Sequence, residues 1–112
     1  MTKYNSNFLG TVPFSDQTVK VALAATTALP YTIPGDNSIQ YTAEFQLPYN
    51  ANIWIGYNVT ATLPTPGTAT SSNRMELIRS GDRRYVRGGD VLSFISDTIV
   101  TNMGISLLQV PG

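Results

Sequence analysis

The sequence predicts an all-β fold, a single β-sandwich of jelly-roll type with about seven or eight antiparallel strands and an irregular N-terminal arm. Three observations lead there. Apolar and polar residues alternate with a period of two in several segments, the signature of strands with one buried face. Gly, Pro, Asn and Asp recur between them roughly every 8 to 12 residues, the spacing of sandwiches and barrels. No segment holds a 3.6-residue apolar period; Ala22 to Ala28 comes nearest, and Thr26, Thr27 and Pro30 argue against a helix there.

Residues 1–17 show no clean period and read as an arm, with Phe8, Leu9, Val12 and Phe14 as apolar residues that need a surface to bury against. The first strand is expected at Thr18 to Ala25, with Val19, Val21 and Leu23 on one face. Pro30 and the run Ile33-Pro34-Gly35-Asp36 act as breakers, and Pro34-Gly35 fits the centre of a type II turn. Ser38 to Leu47 alternates without interruption: Ile39, Tyr41, Ala43, Phe45 and Leu47 on one face, Gln40, Thr42, Glu44 and Gln46 on the other. After a turn at Pro48 to Asn52, a strand to Thr62 puts Ile53, Ile55, Tyr57, Val59 and Ala61 on one face and Trp54 on the other. These two long strands are expected to pair as a hairpin.

A Thr-, Ser-, Pro- and Gly-rich loop spans Leu63 to Asn73. Short strands follow around Met75 to Ile78, at Tyr85-Val86 and at Val91 to Ile95, separated by Ser80-Gly81-Asp82 and Gly88-Gly89-Asp90. The last strand, Thr98 to Val110, is expected to show Ile99, Thr101, Met103, Ile105 and Leu107 on one face, Val100 and Leu108 on the other. The chain thus divides into an arm, 1–17, and one sandwich domain, 18–112, with no repeat.

Composition narrows the function. Charged residues make up 12% of the 112 residues, about half the usual share, with seven Lys and Arg against seven Asp and Glu. Zero net charge speaks against non-specific binding to nucleic acid or an anionic membrane, and a charge-poor surface suits a subunit of an assembly, the alternative being a stable monomer wetted by Thr, Ser, Asn and Gln. There is no histidine and no cysteine, which removes the usual acid/base, the soft metal ligands and disulfides. Asp16, Asp36, Glu44, Asp82, Asp90 and Asp97 fall mostly at turns, where Asp serves the backbone; neither a glycosidase pair nor a calcium loop is expected from them. No enzyme activity, cofactor or metal is expected. Met1 to Asn7 leads into no long apolar run, so neither a secretory signal nor a bilayer span is expected.

Two features are candidates for contact. Five of the seven cations, Arg74, Arg79, Arg83, Arg84 and Arg87, lie within 14 residues. They can serve a partner's carboxylates or phosphate, which the planar guanidinium grips with two bonds, or they can guard a sheet edge against unwanted pairing. With Tyr85 alone interleaved, they do not look like a nucleic-acid surface. Trp54, opposite its strand's apolar face, is either an interface residue or part of a core covered on both sides.

The long alternating strands, the Pro/Thr/Ser loop, Tyr85-Val86-Arg87-Gly88-Gly89-Asp90-Val91-Leu92-Ser93-Phe94-Ile95 and Asn102-Met103-Gly104-Ile105-Ser106-Leu107-Leu108 together resemble small virion proteins of tailed bacteriophages, over about residues 18–110. Many of these are head decoration (cement) or related accessory proteins. The resemblance implies a sandwich on the capsid surface, often as trimers at local threefold positions, bridging subunits of the major coat protein. It brings no catalytic residues. Phe8, Leu9 and Phe14 would then anchor the arm, and the stretch from Arg74 to Arg87 would meet acidic coat surface. A receptor- or glycan-binding fibre or tip module using Trp54 and the loop at Pro64-Thr65, or a tail or neck adaptor, are the alternatives.

Overall fold

The structure is a computed structural model that describes residues 15–49, 51–67 and 74–110. Phe8, Leu9 and Phe14 lie outside the described residues. Among the described residues eight strands form: β1 (Gln17–Leu23), β2 (Leu29–Thr32), β3 (Gln40–Gln46), β4 (Ile53–Tyr57), β5 (Met75–Ile78), β6 (Arg83–Arg87), β7 (Val91–Ser96) and β8 (Val100–Gln109). They make two four-stranded sheets, β1-β8-β3-β6 and β2-β7-β4-β5, in which every neighbouring pair is antiparallel. First pairs with last, second with seventh, third with sixth and fourth with fifth. One long hairpin has in effect been rolled over itself, which is the double Greek key of a jelly roll.

The two sheets bury one face each against the other. Tyr41, Ala43 and Phe45 of β3 and Met103, Ile105 and Leu107 of β8 come from one sheet; Ile53 and Ile55 of β4 and Leu92 and Phe94 of β7 come from the other. Phe45 and Phe94, both fully buried, meet edge to face across the sandwich with centroids 6.1 Å apart, the arrangement ring quadrupoles favour.

Four expectations are corrected. β3 and β4 are not a hairpin: β3 sits between β8 and β6, β4 between β7 and β5. Each has one strongly apolar face, and those faces meet across the core, so the connection through Pro48 passes from one sheet to the other. Pro30 does not break the chain but lies inside β2. Ile33 donates its N–H to the Asp90 carbonyl at 2.8 Å, which continues the β2–β7 ladder and turns the backbone of Pro30 to the free side, where no N–H is needed.

The strand expected to reach Thr62 stops at Tyr57. Asn58 has φ 56° and reverses the chain, and the segment after it folds back over the outer face of β4 and β7. Ala61 there is buried and donates its N–H to Ser93 Oγ at 2.9 Å. Gly56 permits the fold-back, since a Cβ would stand 2.6 Å from the Val59 carbonyl oxygen. In β8 the pairing runs Val21 to Met103 but Leu23 to Val100, a bulge that carries one extra residue on β8. The alternation therefore switches faces: Val100 is buried and Ile99 is 72% exposed.

Candidate interaction surfaces

The sandwich has two tips. The connections β1–β2, β3–β4, β5–β6 and β7–β8 lie at one. The other holds the start of β1 and the end of β8, tied together by the Gln109 N–H donating to Asp16 Oδ2 at 2.7 Å. Chain direction in a rolled hairpin dictates this: both ends of the domain emerge at the same tip.

The arginines distribute over three places. Two turns that carry the chain between sheets share one pattern, Arg79-Ser80-Gly81-Asp82 and Arg87-Gly88-Gly89-Asp90. In each, the Asp carboxylate accepts the Arg backbone N–H, at 2.8 and 2.9 Å, and the Asp N–H donates to the Arg carbonyl, at 3.0 and 3.1 Å. Gly81 and Gly89 supply the positive φ of 91° and 89° that the third turn position demands. The paired Arg-x-Gly-Asp spacing is readable in the sequence and marks these aspartates as turn builders. Arg79 thereby sits at the loop tip.

Strand alternation separates the others. Arg83 and Arg87 stand on the outer face of β6 beside Glu44 and Gln40 of β3, with Arg83 Nε 3.9 Å from Glu44 Oε2. Arg84 points the other way, to the rim between the sheets, where its Nε donates to Glu76 Oε1 of β5 at 2.5 Å. That bond, with the Glu76 charge, raises the guanidinium pKa further despite partial burial. Arg74 lies over the Tyr57 ring, 5.6 Å from its centroid.

Arg74, Glu76 and Arg84 rim a cleft of about 270 Å³ between β5 and β6, floored by Ile55, Val86 and Leu92. Beside it Tyr57 donates its hydroxyl to Asp90 Oδ2 at 2.8 Å, and Asn58 Nδ2 donates to Asp90 Oδ1 at 3.4 Å. Burial by itself pushes the Asp90 carboxyl up, but the Arg87 N–H, the Tyr57 and Asn58 bonds and the Arg87 charge together hold it below the ordinary carboxylate value.

No protein-family model matches the chain, and no curated protein does either.

Trp54 is half-buried on the outer face of its sheet, opposite Leu77 of β5 and Ile95 of β7. The surface that sequence reasoning missed is the loop tip. Tyr49 is 93% exposed in the β3–β4 connection, Ile99 stands out in the β7–β8 connection, and Leu77 is exposed near the end of β5. Tyr49, Pro48, Asn52, Leu77 and Arg79 border an open depression of about 600 Å³. A large aromatic in the middle of a Pro/Asn turn was the available signal, because a turn has no inner face. Such a surface offers ring faces, an amide and a guanidinium. It suits binding, and among the described residues no group of three or more acidic side chains is placed to hold a metal ion.

Proposed function

We propose that this chain is a virion structural protein that decorates or cements the capsid of a tailed phage by bridging subunits of the major coat protein. The observation that supports this most is the polarity of the jelly roll. The start of β1 and the end of β8 share one tip, beside Asp16 and Gln109, while Tyr49, Ile99 and Leu77, three of the five exposed large apolar residues among those described, lie toward the other; Tyr85 stands apart on the outer face of β6. A compact body with exposed apolar side chains gathered at one tip and the ends of its first and last strands at the other is suited to span two neighbours. The role needs shape and surface, not turnover, in keeping with a chain that has neither histidine nor cysteine. Many weakly held copies would stabilise a shell by multivalency.

The test is to mix the purified protein with undecorated capsids and count bound copies after sedimentation. Saturable binding at hundreds of copies per particle supports the cement role; tens of copies or fewer point to a tail or neck adaptor; no binding refutes attachment to the shell. The exposed Tyr49 ring beside Asn52 and Arg79 favours one further reading, a glycan-binding tip module. Binding on a glycan array without capsid attachment would establish it instead.

A further inference from the structure

Four strands stand at sheet edges: β1 and β6 in one sheet, β2 and β5 in the other. An edge strand is a template for pairing with another chain unless something blocks it. Three of the four are blocked. β2 is four residues long and carries Pro30 with its backbone nitrogen on the free side. β5 is also four residues long. In β6 the Gly88 N–H donates to the Ile39 carbonyl, so Arg83, Tyr85 and Arg87 turn their backbone groups outward. There the Arg83 carbonyl is taken by Arg84 Nη1 at 2.7 Å and the Arg87 N–H by Asp90. The edge reading of these arginines, open at the level of sequence, gains a mechanism.

β1 has no proline and, among the described residues, no internal cap on its free backbone groups; a single lysine, Lys20, is its one guard of this kind. It runs for seven residues, Gln17–Leu23, without Gly. Its hydrogen-bond phase follows from β8. Val110 donates to the Gln40 carbonyl at 2.9 Å, so Ser106 and Leu108 face β3, and Met103, Ile105 and Leu107 face Val21, Val19 and Gln17 of β1. The N–H and C=O groups of Thr18 and Lys20 therefore point to the free side, where no described residue pairs with them.

We propose that the free edge of β1 pairs antiparallel with β1 of a second copy of this chain about a twofold axis, joining the two four-stranded sheets into one of eight strands. Backbone phase and charge together select the register: an axis at Thr18 would bring Lys20 opposite Asp16, whose N–H already turns inward to the Leu107 carbonyl and cannot exchange a bond. With the axis at Lys20, two lysines would stand directly opposite, which is unfavourable. With the axis at Val19, Thr18 and Lys20 of each copy exchange both backbone bonds with Lys20 and Thr18 of the other, and Gln17 lies opposite Val21. The two Val19 side chains, each half-buried at the rim of its own core, then cover one another. The contact is isologous and closes at two copies, in contrast to the trimer that the resemblance implies. It does not depend on capsid attachment.

The test uses the full chain without capsids. Sedimentation across a concentration series should show a monomer–dimer equilibrium. Lys20→Pro removes a free-side N–H and leaves the β8 ladder intact, as Pro30 does in β2. It should weaken the dimer by roughly 10- to 100-fold with an unchanged circular dichroism spectrum. Since the chain has no cysteine, Val19→Cys should cross-link rapidly on mild oxidation, because opposed Cβ atoms come within disulfide reach on the axis. Val21→Cys, whose partner lies about 13 Å away at four residues' separation, should not. A monomer at every concentration, a trimer, a dimer indifferent to Lys20→Pro, or equal cross-linking at both positions would overturn the proposal. So would loss of the dimer on removing residues 1–14 from an otherwise folded chain.

Discussion

Arg84 of β6 and Glu76 of β5 meet at 2.5 Å across the open side of the sandwich, one from each sheet. Both occupy positions whose alternation points inward, as Val86 and Ile78 do, yet at the rim an inward side chain still reaches water. An ion pair can stand there where a buried apolar residue stands one step deeper. The pair caps the cleft over Ile55 and Leu92 and ties together two edge strands that share no backbone bonds.

Its contribution to stability is expected to be small. The two side chains are 42% and 48% exposed, so solvent screens them. A double-mutant cycle with Arg84→Met and Glu76→Gln, read by urea unfolding, should give a coupling of about 0–1 kcal/mol that shrinks with added salt. A coupling that survives high salt would mean the pair is far less hydrated than its exposure implies.

Gly88 and Gly89 look equivalent in sequence and are not in structure. A Cβ on Gly88 would lie 2.2 Å from the Asp36 carbonyl oxygen and 2.6 Å from the Gly35 carbonyl carbon, whereas Gly89 faces open space and needs only its φ of 89°. Gly88→Ala must push two backbone segments apart, a cost of about 3 kcal/mol or more. Gly89→Ala should cost about 1–2 kcal/mol, the penalty of a left-handed conformation. Chemical denaturation of both variants checks the order, and a larger effect at Gly89 would contradict this packing.

Face was legible in the sequence; partner was not. Strict alternation put Tyr41, Ala43 and Phe45 inside, as found, because one buried sheet face imposes a period of two. The same pattern is silent on which strand lies alongside, so adjacency in the chain suggests one sheet for β3 and β4 where the fold puts them in two. Ile99 and Val100 exchanged faces because a bulge adds a residue without leaving a compositional mark. Pro30 misled because a proline signals a break unless its nitrogen happens to face an edge. Of the candidate contacts, the split of the arginines followed from alternation once β6 was located, but the grouping of Tyr49, Leu77 and Ile99 required knowing which loops share a tip.

Acid should weaken the fold partly through Asp90. Its carboxyl pKa is lowered in the folded state, since the hydrogen bonds it accepts outweigh its burial. The stabilisation is therefore present above the unfolded carboxylate pKa of about 4 and disappears as pH falls through the lower folded value. Asp90→Asn should lower stability at neutral pH and reduce the slope of stability against pH on the acid side. Some slope should remain, because Asp36 is also held low by the hydroxyl and N–H of Ser38. Thermal melts of both proteins between neutral and acid pH test this; parallel curves would show that Asp90 is not the linked group.

Tyr49 separates the readings of the loop tip. At 93% exposure its ring contributes almost nothing to the core, so Tyr49→Ala should leave stability within about 0.5 kcal/mol of wild type. An exposed ring that binds is nonetheless costly to lose, because truncating an interface aromatic typically removes about 2 kcal/mol or more of affinity, about thirtyfold or more in Kd. If the tip contacts the shell, Tyr49→Ala should lower capsid affinity by about that factor, and Ile99→Ser should add to it from the neighbouring connection. If the tip holds a glycan by stacking, capsid sedimentation should be unchanged and array binding should disappear. An effect on neither, in a variant that melts like wild type, would leave Tyr49 outside both interfaces and move the contact surface to the arginine-bearing outer face of β6.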